Sequence, residues 1–302
     1  MSITNKTLII VCGPTAVGKT KVALQLAQHF KTDIISVDSR QIYKELSIGT
    51  AKPDIEELAL IQHHFINHIS IHDDFSAGQY EVEVIALLGQ LFEQNDVVIA
   101  AGGTGLYIKA ITDGFDDIPA VNSSVRAQII NEYEQFGLAH LQREVKIADP
   151  EAYEKMDTEN PQRLMRVLEV NRGSGQKVSS LQKHQKKDRN FRVIKIGINL
   201  PREMLYEQIN GRVDLMMENG LLEEAKQFFD FRHLNALQTV GYNELYQYLN
   251  KEISLEEAID LIKRNSRRYA KRQLTWLRKQ EDIQWFAPQE GSRIIEYLVG
   301  EM

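Results

Sequence analysis

Apolar residues gather in four short runs: TLIIVC at 7–12, DIISV at 33–37, VVIAA at 97–101 and FRVIKIGINL at 191–200. Runs this short and β-rich read as strands buried on both faces. Between them the period changes. Val22, Leu24, Leu26, Ala27 and Phe30 suit a helix packed on a sheet, and EVEVIALLGQLFEQ at 81–94 reads as another. Strands alternating with helices predict a parallel sheet covered on both sides. Near Gly114 the pattern shifts: DGFDDIPAVN is rich in turn residues, and 123–187 is nearly all helical pattern and charge. The expected organisation is an α/β core of residues 1–115 and 191–302, interrupted by a mainly helical insertion at 116–190.

Chemistry enters with GPTAVGKT, which follows the first strand. Its spacing is that of a P-loop, formed by Gly13, Pro14, Thr15, Ala16, Val17, Gly18, Lys19 and Thr20. The glycines let backbone N–H groups turn inward, the following helix adds the positive end of its dipole, and Lys19 adds a full charge. Thr20 can offer its hydroxyl to a Mg²⁺ that also touches the phosphates. Such a loop usually grips ATP or GTP, yet its chemistry asks only for a diphosphate. The fold class expected is therefore a P-loop NTPase-like parallel sheet with an inserted helical domain.

A P-loop hydrolase normally has a second apolar strand that ends in an acid. Here VVIAAGGTG ends in Ala and Gly, and the strand that ends in an acid is DIISVD. Asp38 should lie at the carboxyl end of a parallel strand, where open α/β sheets bind ligands. Two readings of it stand side by side: a metal-organising carboxylate or helix cap, and a general base beside the diphosphate.

Composition narrows the picture. The chain has 302 residues, 43% of them apolar, a net charge of -6 and one cysteine, Cys12. A single cysteine excludes an internal disulfide and a cysteine-rich zinc site, which points to a reducing, cytoplasmic setting. No apolar run approaches the ~20 residues of a membrane span. The net charge does not announce a nucleic-acid binder, but position matters more than sum. Residues 263–280, KRNSRRYAKRQLTWLRKQ, hold eight Lys or Arg and no acid. On a helix, Lys263, Arg267 and Lys271 form one row and Arg264, Arg268 and Arg272 an adjacent one, opposite Ile262, Tyr269 and Trp276. That face either meets phosphates or is simply solvated. His64, His68 and His72 are four apart, but Phe65, Ile66, Ile69 and Ile71 favour a loop or strand over a helical metal site.

Seven segments, GPTAVGKT, ISVDSRQIYKELSIGTAKP, HHFINHI, FSAGQY, AGGTGLYIKA, NPQRLMRVLEV and YAKRQLTWLR, occur in the order seen in tRNA dimethylallyltransferases, also called tRNA isopentenyltransferases. The chain resembles that family from about residue 8 to 280, in its shorter bacterial form. The resemblance implies transfer of a dimethylallyl group from dimethylallyl diphosphate to N6 of adenosine 37, beside the tRNA anticodon. It assigns the P-loop to the donor diphosphate, with Lys19, Thr20 and Mg²⁺ acting on the leaving group, and Asp38 to the role of base. It places Ser39, Arg40 and Gln41 on the tRNA with Asp38, Thr104 near the reacting base, Arg126 at the start of the insertion, and Gln162, Arg163, Leu164, Met165 and Arg166 on the anticodon stem-loop. Arg212 is expected near the active site. A monomer without membrane contact is expected. The rival readings are an adenylate isopentenyltransferase acting on free nucleotide, a P-loop small-molecule kinase, and a noncatalytic RNA-binding protein.

Overall fold

The computed structural model describes residues 6–119, 121–183 and 185–302. Its described residues divide into two compact units, one formed by residues 6–112 and 188–302, the other lying within Asp113–Lys187. In the first unit the order begins β1 (Thr7–Cys12), α1 (Lys19–Phe30), β2 (Ile34–Val37), α2 (Ile55–Leu60), β3 (His63–His64), α3 (Ala77–Gln94), β4 (Val97–Gly102) and α4 (Gly105–Thr112). The second unit holds α5 (Ser123–Phe136), α6 (Leu138–Ala148), α7 (Pro150–Lys155), α8 (Pro161–Ser174) and α9 (Val178–Leu181). The first then resumes with β5 (Arg192–Ile198), α10 (Arg202–Glu218), α11 (Leu221–Gln227), α12 (Tyr242–Leu249), α13 (Leu255–Leu277), β6 (Ile283–Phe286) and α14 (Gly291–Glu301).

The six strands form one sheet in the order β3-β2-β4-β1-β5-β6, parallel throughout. All four apolar runs are in it. Its centre is dry: Leu8, Ile9, Ile10, Ile99 and Ile196 are completely buried, as is Leu26 of α1. Each such side chain contributes about 1.5–3 kcal/mol relative to exposure. Two strands went unseen in the sequence. β3 is two residues long, and β6 (IQWF) is four residues with a polar residue inside it, so neither carries a sustained apolar run. The helix expected at 81–94 begins at Ala77 instead. Ser76 caps it, accepting from the Gln79 N–H while Gln79 accepts from the Ser76 N–H, a capping box.

The second unit has its own core of Ile129, Leu141, Val145, Leu164, Leu168 and Val170. Asn160 caps α8 and Pro161 takes its first position. The Lys187 N–H donates to the Asp113 carbonyl at 2.8 Å, so the unit leaves and returns at one point. Among the described residues no helix is long and apolar enough to cross a membrane.

Candidate active site

The P-loop spans the gap between Cys12, the end of β1, and Lys19, the start of α1. Gly18 has φ 93°, a left-handed conformation that a glycine adopts without strain. The loop is tied from above by Gln273 of α13. Its Oε1 accepts from the Thr15 N–H at 2.8 Å, and its Nε2 donates to the Gly103 carbonyl at 3.0 Å. Gly103 has no room for a side chain, because a Cβ there would lie 2.3 Å from that Nε2. Lys19 Nζ donates to the Pro14 carbonyl at 2.7 Å. Burial pushes its pKa down to about 8, against the opposing pull of Asp38 and with a further push from Arg212.

Period-two alternation along β2 puts Ile34, Ser36 and then Asp38 on one side of the sheet, and all three line one cavity. Asp38 Oδ1 accepts from the backbone N–H of Arg40 at 2.8 Å and of Gln41 at 3.4 Å. Oδ2 has no hydrogen-bond partner among the described residues. The Ser39 N–H donates to Thr104 Oγ1 at 3.1 Å. The Thr104 hydroxyl is therefore turned towards β2's end rather than capping α4. Arg40 is folded back onto the chain, donating to the Asn235 carbonyl at 2.7 Å. Gln41 Nε2 donates to the Ala51 carbonyl at 3.0 Å.

The cavity has two adjoining lobes. The first, about 480 Å³, is lined by the P-loop residues Thr15, Ala16, Gly18, Lys19 and Thr20, by Ile34, Ser36 and Asp38, and by the segment Thr50–Pro53. The second, about 390 Å³, is lined by Ser39, Arg40, Gln238, Thr239, Asn243 and Arg272 among others. Thr15, Asp38, Arg212 and Tyr269 line both. Arg212 comes from α10. Its hydrogen bonds are long ones, to Thr15 Oγ1 at 3.4 Å and to the Ala51 carbonyl at 3.3 Å. Burial pushes its pKa down while Asp38 pulls it up. A cation so placed, with no carboxylate in salt-bridge contact among the described residues, is arranged to meet an anion in the cavity. Asp38 and Arg212 thus stand where the lobes join, with Lys19 in the first lobe close enough to feel both charges.

The second unit assembles its own cationic group. Glu169, buried to 4% exposure, pairs with Arg126 and with Arg166, the latter at 3.1 Å. Arg126 also donates to Gln162 Oε1 at 3.0 Å. Arg163 is exposed and has no ion pair among the described residues. Leu164 and Met165 are buried in this unit's core, at 0% and 3% exposure. Of the segment 162–166, then, Gln162, Arg163 and Arg166 present side chains to solvent.

The family profile described as IPP transferase matches residues 41–280. The chain belongs to the IPP transferase family. It is 47% identical over 292 residues to a Phocaeicola vulgatus protein named tRNA dimethylallyltransferase 1, covering 97% of both chains. It is 49% identical over 292 residues to the tRNA dimethylallyltransferase of Christiangramia forsetii, covering 96% of this chain and 97% of that one. Among solved structures, it resembles the tRNA isopentenylpyrophosphate transferase of Bacillus halodurans at 34% identity and a TM-score of 0.71, covering 98% and 96%. It also resembles a eukaryotic dimethylallyltransferase described as acting on tRNA, at 26% identity and a TM-score of 0.78, covering 94% of this chain and 74% of that one.

For an IPP transferase family member, several side chains at the cavity carry no obvious sequence signal. Tyr269 reads from its spacing as a docking residue, but it lines both lobes and shares a hydrogen bond with Thr104. Burial and the charge of Asp38 push its pKa up to about 12. Gln273 could have been found: it follows Ile262 and Ala270 on the inward face of α13, and a polar group there must have partners. The basic rows on α13 also need revision. Lys263 pairs with Asp214 at 2.5 Å, and Arg267 donates to Asn210 Oδ1 at 2.6 Å. Those two members of the row are spent on α10. Arg264, Arg268, Lys271 and Arg272 remain, and Arg272 also lines the second lobe. The spaced histidines serve separate contacts: His64 meets Asp33 at 2.8 Å, His68 meets Glu83 at 2.7 Å, and His72 packs edge-on against Phe231.

Proposed function

We propose that this protein is a tRNA dimethylallyltransferase, which transfers the dimethylallyl group of dimethylallyl diphosphate to N6 of adenosine 37 and releases diphosphate. The observation that carries the reading is the junction of the two lobes, where Asp38 sits between the P-loop with Lys19 on one side and Arg212 on the other. The first lobe suits the donor, with cations and amides for the diphosphate and Ala23, Ile34 and Ile66 for the alkyl group. The second suits the acceptor base. Cleavage of the allylic carbon–oxygen bond leaves delocalised positive charge on the departing carbon, so the demand falls on stabilising the leaving diphosphate. The adenine amino group has its lone pair drawn into the ring, and Asp38 Oδ2 takes its proton as the new C–N bond forms.

Mg²⁺ fits this site. Thr20 lines the donor lobe with a hydroxyl oxygen, and diphosphate oxygens and water suit the remaining positions. Bound there, the ion would neutralise charge on the leaving group. A monomer in the cytoplasm is proposed, and the single cysteine, Cys12, is buried. Beyond the cavity, the proposal assigns the anticodon stem-loop to Arg126, Gln162, Arg163 and Arg166, and tRNA phosphates to the remaining basic residues of α13.

The decisive test offers labelled dimethylallyl diphosphate with tRNA or with AMP, and labelled ATP with AMP and a set of small hydroxyl acceptors. Label should enter tRNA. Efficient labelling of AMP alone would favour the free-nucleotide enzyme, and phosphoryl transfer from ATP a kinase. A second expectation concerns the acceptor. Neutralising Arg264, Arg268 and Lys271 to Ala spares the cavity, since none of the three lines either lobe. It should weaken tRNA binding and flatten the plot of log K against log salt, by roughly 0.7–0.9 for each phosphate that is no longer neutralised. An unchanged slope would return this face to solvent.

A further inference from the structure

We infer that Glu224, outside both lobes, is a positioning residue for donor binding, acting through the strap of residues 47–52; the inference rests on the donor-lobe reading above. The strap has no regular structure, yet Thr50, Ala51 and Lys52 form one wall of the first lobe. Ala51 is held at φ 47°, a left-handed conformation that costs a non-glycine residue energy and persists only where its surroundings impose it. The imposing group is the Glu224 carboxylate of α11. Its Oε2 accepts from the N–H groups of Ser47 and Ile48, both at 2.9 Å. Its Oε1 accepts from the Gly49 N–H at 2.9 Å and from the Tyr242 hydroxyl at 2.6 Å. Three consecutive amides therefore close on one anion. Gly49 is seated on the Tyr242 ring so closely that a Cβ would lie 2.6 Å from it. The far end is pinned by Lys52, whose Nζ donates to the Tyr43 carbonyl at 2.5 Å and to Asn67 Oδ1 at 2.6 Å.

Between these anchors the Ala51 carbonyl accepts from Gln41 Nε2 and from Arg212 Nη2. The strap thereby orients the buried guanidinium that faces the leaving group. Replacing one carboxylate oxygen by a donor leaves part of this amide cluster without an acceptor, and the carbonyl that aims Arg212 shifts with it.

The test is Glu224→Gln, which keeps one acceptor oxygen and sets an NH₂ group against the N–H donors that the other oxygen served. The expected result is a donor KM raised about tenfold, a tRNA KM within about twofold of wild type, and at least tenfold faster hydrogen exchange at the amides of 47–49. Tyr242→Phe removes the fourth hydrogen bond and keeps the three amide ones, so its donor KM should stay within about twofold. A wild-type donor KM in Glu224→Gln overturns the inference, as does an equal rise in both variants, which would mark a general packing loss. If Glu224→Gln does not fold, the wild type decides: donor must slow exchange at 47–49, and unchanged exchange overturns the proposal. Failure of the wild type to use dimethylallyl diphosphate would instead sink the functional reading, and is seen without any variant.

Discussion

Asp38→Asn lowers kcat by at least about 10²-fold while tRNA affinity stays near wild type. The substitution keeps the shape. The amide oxygen can still accept from the N–H groups of Arg40 and Gln41, as Oδ1 does now. The NH₂ group then takes the place of Oδ2, so a proton donor stands where an acceptor is needed. Removing the negative charge relieves its repulsion of the diphosphate, which offsets the lower pKa that Lys19 takes without Asp38 beside it, so donor KM should stay near wild type. A fall in kcat without a rise in donor KM separates loss of the base from loss of binding. Single-turnover transfer to tRNA is the measurement, and a wild-type rate would remove Asp38 from the proton transfer.

Lys19→Ala should cost roughly 10²–10³-fold in kcat/KM for the donor, the scale of removing one preorganised group from a developing anion. The tRNA affinity should hold, because Lys19 lies in the lobe that meets the diphosphate. The same residue sets a pH dependence. Burial holds its pKa down at about 8 in the free protein. Below that pH the ammonium is already charged and donor binding needs no proton. Above it, binding must first protonate the amine, so affinity falls about tenfold per pH unit. Titration of donor binding from pH 7 to 9.5 should show this break in the wild type and lose it in Lys19→Ala. Lys52, whose pKa burial also pushes to about 8, lines the same lobe. Its Nζ is bound to Tyr43 and Asn67, so Lys52→Met should keep the break. If the break follows Lys52 instead, the assignment of the titrating group is wrong.

The parts of this protein legible in the sequence are those governed by local rules. The P-loop declares itself by spacing, Asp38 by ending an apolar run, and the helical insertion by its change of period. What the sequence conceals is formed by contacts across long separations. Gln273 meets Thr15, and Glu224 meets Ser47, through hydrogen bonds between segments that no period connects. Tyr269 falls on the inward side of α13, and only the fold shows that part of this side lines a cavity. The basic helix misleads for the same reason. Lys263 and Arg267 look as available as Arg264 and Arg268 until α10 supplies Asp214 and Asn210.

The position of the second unit in the chain bears on how the protein is made. β1 lies between β4 and β5, pairing Thr7 with both Val97 and Arg192. On the ribosome β1, β2, β3 and β4 are complete long before β5 emerges, so one long edge of β1 stands unpaired meanwhile, a template for misassociation. Residues 113–187 are synthesised in that interval. They have a core of their own, and the hydrogen bond from Lys187 to Asp113 brings their ends together. Once folded, they replace a long floppy loop with a short effective one, which lowers the entropy lost when β5 docks. Arg189 then fastens the return, donating to the carbonyls of Ala110 and Ile111 and pairing with Glu81 at 3.0 Å. A folded insertion thus shortens the search for the last two strands relative to an unfolded segment of the same length.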